Sequence, residues 1–245
     1  MAACPSSSSR PEASRPRPNR PLQPTRWPTL RLAVSVVALV LAAGLSLAAP
    51  AHSAPPAQRG IDPVHTPTRA ATDFTFLIAY SFGNRIPSGV DPTRTVGEPG
   101  PVNEALADAA VRTRGARTIP IYAQTEIARV LTSKYHATGV VEIPPDRKPD
   151  GTLVYLSTDG VAAKVAALRG RSAHTDVAGV VAFSDHLWRA VYTTRANGLD
   201  AYAPADIAMP STYDPQSGQD WTRSRAAYLP RDYAARLALV PRLVR

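Results

Sequence analysis

The chain has 245 residues, 44% of them hydrophobic, and 28 basic against 19 acidic residues give a formal net charge of +9. Residues 1–54 hold six of the basic residues and one acid, so the rest carries 22 against 18, a mild excess. With no aromatic-basic stripe, that balance excludes a nucleic-acid footprint.

Residues 1–31 form a basic, Pro/Ser-rich n-region with six arginines, Arg10 to Arg31, and one acid, Glu12. An uncharged run rich in Ala, Val and Leu follows from Leu32 to Ala49, closed by the small residues up to Ala54. Residues 32–54 therefore read either as a signal peptide cut after Ser53 or as an uncleaved anchor in the membrane through residues 32–49. Both readings put the remainder outside the cytoplasm, secreted or held at the cytoplasmic membrane. The single cysteine, Cys4, lies in the n-region, so the exported part has no disulfide and no thiol chemistry. Residues 55–72 lack periodicity and read as a linker.

From residue 73 to 245 strand and helix patterns alternate, enough chain for one domain with its own core. Phe74–Tyr80 is an apolar run of strand length, followed by a loop over 83–100. Pro101–Arg114 is a helix with Gly115 after it, and Thr118–Tyr122 is a strand in which Pro120 removes a ladder donor and suggests a short strand or one near an edge. Gln124–Ser133 is a helix, Gly139–Ile143 a strand, and Val154–Leu156 a short strand or a helix start. Asp159–Leu168 is a helix capped by Thr158 or Asp159, and Asp176–Phe183 is a buried strand. His186–Asn197 is a helix closed by Gly198, Leu199–Ala203 a strand, and Pro230–Val240 a final helix after an aperiodic stretch. Strands separated by helices predict an α/β fold, a three-layer sandwich with a mainly parallel, Rossmann-like sheet in a single domain.

Parallel strands open on one rim, where such sheets place their ligands. After the Val180–Phe183 run come Ser184, Asp185, His186 and Arg189, the last two a helical turn apart and able to aim at one ligand. Arginine offers a two-pronged donor to phosphate or carboxylate, and histidine transfers protons near neutral pH. The same residues also fit a bland arrangement, with Ser184 or Asp185 as a cap, His186 packed and Arg189 in a surface ion pair. Gln124, Thr125 and Glu126 follow the second strand; Glu126 fits a general base, an orienter of His186, or a plain first-turn residue. Ser81, Asn84 and Arg85 follow the first strand and suit ligand contact, but no Gly-x-Ser-x-Gly elbow makes Ser81 a nucleophile. The polar segment Tyr213–Ser224, with Trp221, fits a lid over the rim or packing on the domain's side. Scattered histidines, no cysteine pair and no glycine-rich phosphate cradle predict no metal and no cofactor.

The Ser184-Asp185-His186-Leu187-Trp188-Arg189-Ala190 segment, with Gly198 ending the helix, resembles the SanA/YdcF-like family of envelope proteins, which includes the ElyC type. Gln124-Thr125-Glu126-Ile127-Ala128 and Thr158 match that pattern in part, whereas the family's Ser-Gly-Gly turn is replaced by Tyr122-Ala123-Gln124. The resemblance spans residues 73–205 and leaves 206–245 as an unmatched C-terminal extension. It implies a bacterial cell-envelope protein. The expected ligand is a small anionic or phosphate-bearing molecule, such as a cell-wall precursor, held at the rim. Acid-base or hydrolytic chemistry would use His186 as proton carrier, Arg189 as anion clamp and Glu126 as base or orienter. The alternative is a non-catalytic envelope interaction module.

Overall fold

Apolar runs of four or five residues between helices can hide both faces only inside a parallel sheet. The computed structural model describes residues 61–244. The n-region and the signal or anchor at 32–54 lie outside the described residues, as does the start of the linker. In chain order the protein forms β1 (Thr68–Arg69), β2 (Phe76–Ala79), α1 (Gly100–Arg114), β3 (Ile121–Gln124) and α2 (Thr125–Ser133). There follow β4 (Val140–Ile143), the hairpin strands β5 (Asp146–Arg147) and β6 (Leu153–Val154), and α3 (Thr158–Arg169). The chain closes with β7 (Val177–Val181), α4 (Ser184–Ala196), β8 (Asp200–Pro204) and α5 (Arg225–Leu243).

Six strands make one sheet in the order β1-β8-β7-β2-β3-β4, every neighbouring pair parallel. Successive residues of β2 divide between its two faces, as the strand period of two requires. Leu77 and Ala79 join Leu106 and Ala110 of α1 and Ile127 and Leu131 of α2. Phe76 and Ile78 join Val161 and Val165 of α3 and Ala190 and Val191 of α4. The result is the expected three-layer α/β sandwich. Beyond β2 the chain builds outward through β3 and β4, then returns to the other side of β2 for β7 and β8. The order reverses between β2 and β7, which opens a crevice at their carboxyl ends.

Several boundaries differ from the sequence expectation. Pro120 lies before β3, not within it. Its carbonyl accepts from Leu77 N–H at 2.9 Å, and β3 is a four-residue strand inside the sheet between β2 and β4, short but not at an edge. Thr68 and Arg69, within the expected linker, form the edge strand β1 against Ala203 and Pro204; two residues carry no periodicity to detect. Val154 belongs to the β5–β6 hairpin. The cap of α3 is Ser157, whose hydroxyl accepts from Gly160 N–H, rather than Thr158 or Asp159. The last helix begins five residues before Pro230, because Ser224 caps it through Ala227 N–H.

Gly179 in the central strand β7 has no room for a side chain. An added Cβ would lie 2.4 Å from Phe74 and 2.6 Å from Leu77. Gly179→Ala is therefore expected to cost about 1–3 kcal/mol through overpacking, measured as a lower urea midpoint with an unchanged slope.

Candidate functional site

The reversal between β2 and β7 leaves a cavity of about 540 Å³. Its walls come from Ser81–Asn84 after β2, Gln124 at the end of β3, Tyr155–Thr158 before α3, His186 and Arg189 of α4, Tyr228 of α5, and Gly218, Gln219, Trp221 and Thr222. Arg189 is the only residue among them with a fixed charge.

Local hydrogen bonds hold the first wall. Ser81 N–H donates to Gln124 Oε1 at 3.0 Å, joining the ends of β2 and β3. Phe82 N–H donates to Asn103 Oδ1, and Asn103 Nδ2 returns a bond to the Gly83 carbonyl, both within 2.9 Å. Gly83 has φ +69°, and a Cβ there would meet Ser217 Oγ at 2.4 Å, so only glycine lets this loop meet the C-terminal segment. That segment is a fixed wall. Gly218 N–H donates to the Asn84 carbonyl at 2.6 Å, Arg85 pairs with buried Asp214 at 2.9 Å, and the Ser217 and Thr222 hydroxyls are 2.7 Å apart. Of the two placements open for Tyr213–Ser224, the one over the rim is realised, with Trp221 on the cavity.

The opposite wall centres on a carboxylate from α5. Asp232, fully buried, accepts from Arg189 Nε at 2.6 Å on one oxygen and from Arg236 Nε at 2.5 Å on the other. Arg189 also donates through Nη1 to Thr158 Oγ1 at 2.8 Å and through Nη2 to the Tyr228 hydroxyl at 3.0 Å. A guanidinium carries five N–H groups, so each Nη keeps one uncommitted donor. His186, 4% exposed, lies edge-on to Tyr80 and Tyr228. Its Nε2 is 3.4 Å from Thr158 Oγ1, and its Nδ1 faces Asp232 Oδ1 at 3.8 Å, too far for a hydrogen bond. Thr158 Oγ1 thus stands between Arg189 and His186 Nε2, while His186 Nδ1 is buried without a hydrogen-bond partner.

Burial, with Arg189 and Arg236 nearby, lowers the His186 pKa to about 4 against the pull of Asp232, so the ring is neutral at neutral pH. Burial works against ionised Asp232, but facing His186 and Arg189 outweigh it and hold the carboxyl below its ordinary range. Two guanidiniums share this one carboxylate, so the cluster keeps a net positive charge beside the cavity.

Of the residues expected at the site, Ser81, Asn84, Gln124, His186 and Arg189 come together around the cavity. Thr125, Glu126, Ser184 and Asp185 are not among the lining residues. Thr125 donates to Glu142 at 2.6 Å. Glu126 sits one residue behind the wall, taking Asn84 Nδ2 at 3.5 Å, while Asn84 also donates to the Tyr155 hydroxyl at 3.1 Å. Burial raises the Glu126 pKa. The carboxylate facing His186 is Asp232, so the orienting position expected for Glu126 is filled from α5 instead. Ser184 N–H and His186 N–H are taken by the carbonyls of Pro210 and Phe183, and Asp185 pairs with Tyr213 and Arg225, so the start of α4 faces the C-terminal segment and not the cavity. Ser184 and Asp185 make no side-chain cap. Sequence reasoning missed Tyr155, Thr158, Tyr228 and Asp232 as site residues. The available signal was the spacing Tyr228, Asp232, Arg236, one helical turn apart around the only acid in residues 225–245.

Asp232→Ala leaves two guanidiniums facing each other in the interior and is expected to cost about 3–5 kcal/mol in urea unfolding. Acid stability carries a signature of His186. Below its ordinary pKa near 6.5 the unfolded chain binds a proton that the folded chain refuses until about pH 4. Stability should therefore fall by up to about 3 kcal/mol as pH drops from 6.5 to 4, and His186→Gln should remove that component of the slope.

No family model matches the chain, and searches of curated proteins and of solved structures likewise give no match.

Proposed function

We propose that the protein is an extracytoplasmic binding protein of the bacterial cell envelope whose switch-point cavity takes a small anionic or phosphate-bearing ligand. The observation that carries this reading is the lining itself, which holds one fixed positive charge, Arg189, with two uncommitted N–H donors, and no carboxylate. Hydroxyls and amides of Ser81, Asn84, Gln124, Ser157 and Gln219 surround that charge and suit the polar remainder of such a ligand, and Trp221 offers a ring face. The basic leader, the apolar run at 32–49 and the resemblance to SanA/YdcF-like proteins support the envelope location.

Binding fits the geometry better than proton transfer does. Both nitrogens of His186 face protein groups, the ring is not the imidazolium needed for a general acid at neutral pH, and Glu126 lies behind Asn84.

Thermal shift of the full chain with inorganic phosphate, a hexose 1-phosphate and a nucleoside diphosphate tests the reading. At least one organic phosphate should raise Tm saturably, by several degrees at a hundredfold excess over Kd. Arg189→Lys, which keeps a cation but loses the fork, and Gln219→Trp, which fills the cavity, should each weaken that binding tenfold or more. No shift with any of the three probes, or unchanged affinity in both variants, would rule the proposal out.

A further inference from the structure

Helix α5 buries one side only. Tyr228, Asp232 and Leu239 face the domain, and Leu239 packs with Trp188, Tyr192 and Leu243. The opposite side carries Pro230, Tyr233, Ala234, Leu237, Val240 and Val244, all exposed, with Leu237 at 75%, Val244 at 70% and Tyr233 at 54%. At 100° per residue these positions fall within one sector, and no charged residue interrupts it. The stripe runs about 20 Å along the helix. Exposed contiguous apolar surface of this kind marks an interaction site.

Three features of the molecule indicate what covers it. The first is charge: three of the four α5 arginines pair with Asp185, Asp232 and Asp159, and α5's one acid, Asp232, is buried, so its exposed side adds no acid of its own and one cation, Arg231. Arg231 enters no ion pair among the described residues and stacks 5.2 Å over exposed Trp221, a pairing of amphipathic ring and cation suited to a bilayer interface. Second, a face with arginine and no acid does not complement a second copy of itself. Third comes the path of the chain. Ile61 packs against the Leu239 cluster, and Asp62 is fixed there by bonds with Tyr192 and Trp188 of 3.0 and 2.9 Å, so the described chain starts on the α4–α5 side. Eleven residues, 50–60, link that point to the apolar run at 32–49, a reach of at most about 40 Å.

We infer that the exposed face of α5 docks on the anionic surface of the bilayer that residues 32–49 enter, lying in the interface and not crossing it. The inference rests on the anchor reading of that run. Among the described residues, no helix is long and apolar enough to span a membrane. An interfacial helix of this build sinks its apolar side to the acyl boundary and keeps its arginines at the headgroups.

The test uses the full chain with Cys4→Ser and an environment-sensitive fluorophore on Leu237→Cys, reconstituted into phosphatidylglycerol-containing vesicles. A matched protein carries the fluorophore on Leu168→Cys, exposed at 59% on α3. The label at 237 should shift to the blue by some tens of nanometres and be quenched by acyl-chain quenchers. At 168 it should stay water-like, and neither signal should depend on protein-to-lipid ratio. Co-flotation with a water-like label at 237 would overturn the docking while sparing the anchor. A blue shift that grows with protein density would assign the face to a second copy. Failure to co-float would overturn anchor and docking together.

Discussion

A carboxylate with no solvent contact, held between two guanidiniums, dictates most of what this domain can do. Removing charges from water costs several kcal/mol per ion, and only close, well-directed partners offset it. Asp232 therefore requires Arg189 and Arg236 within hydrogen-bond reach, which pins α5 against α4 at the carboxyl end of the sheet. Once α5 lies there, Tyr228 closes the cavity wall. The surplus guanidinium charge leaves the cavity positive, and burial, with that charge beside it, keeps protons off His186. Stability, charge and protonation at the site share one origin.

Much of the fold was legible in the chain because it follows from periodicity. Phe76–Ala79 and Val177–Val181 are continuous apolar runs too short for helices, whereas α1 and α2 bury residues every three to four positions. Elements decided by a few contacts were not legible: β1 has two residues, and α5 starts at a serine cap that Pro230 outweighs as a sequence signal. Strand order was also hidden, since nothing local says that β7 returns to the far side of β2. The site divides the same way. Ser81, Asn84, Gln124, His186 and Arg189 follow strands, and parallel strands share a rim. Asp232 lies 43 residues from Arg189 on an element with no strand to announce it, so the pairing could come only from the tertiary packing.

The packing also separates binding from catalysis. A histidine beside an arginine at the end of a strand suggests proton transfer when read as sequence. In the fold the ring is edge-packed among aromatics and faces Thr158 and Asp232, while the arginine, which lines the cavity, keeps two N–H groups without a partner. The C-terminal extension supplies the carboxylate that makes this possible and the loop that walls the opposite side. Its outer surface exposes Tyr233, Leu237 and Val240 on α5. One segment outside the span of the family resemblance thus carries both proposals.

The central claim concerns where an oxyanion sits. Crystals of the protein soaked in selenate, a tetrahedral anion with an anomalous signal, give the most direct reading. The account predicts an anomalous peak inside the switch-point cavity, within about 3 Å of the Arg189 Nη atoms. Peaks confined to arginines on the outer surface, with the cavity empty, would contradict it.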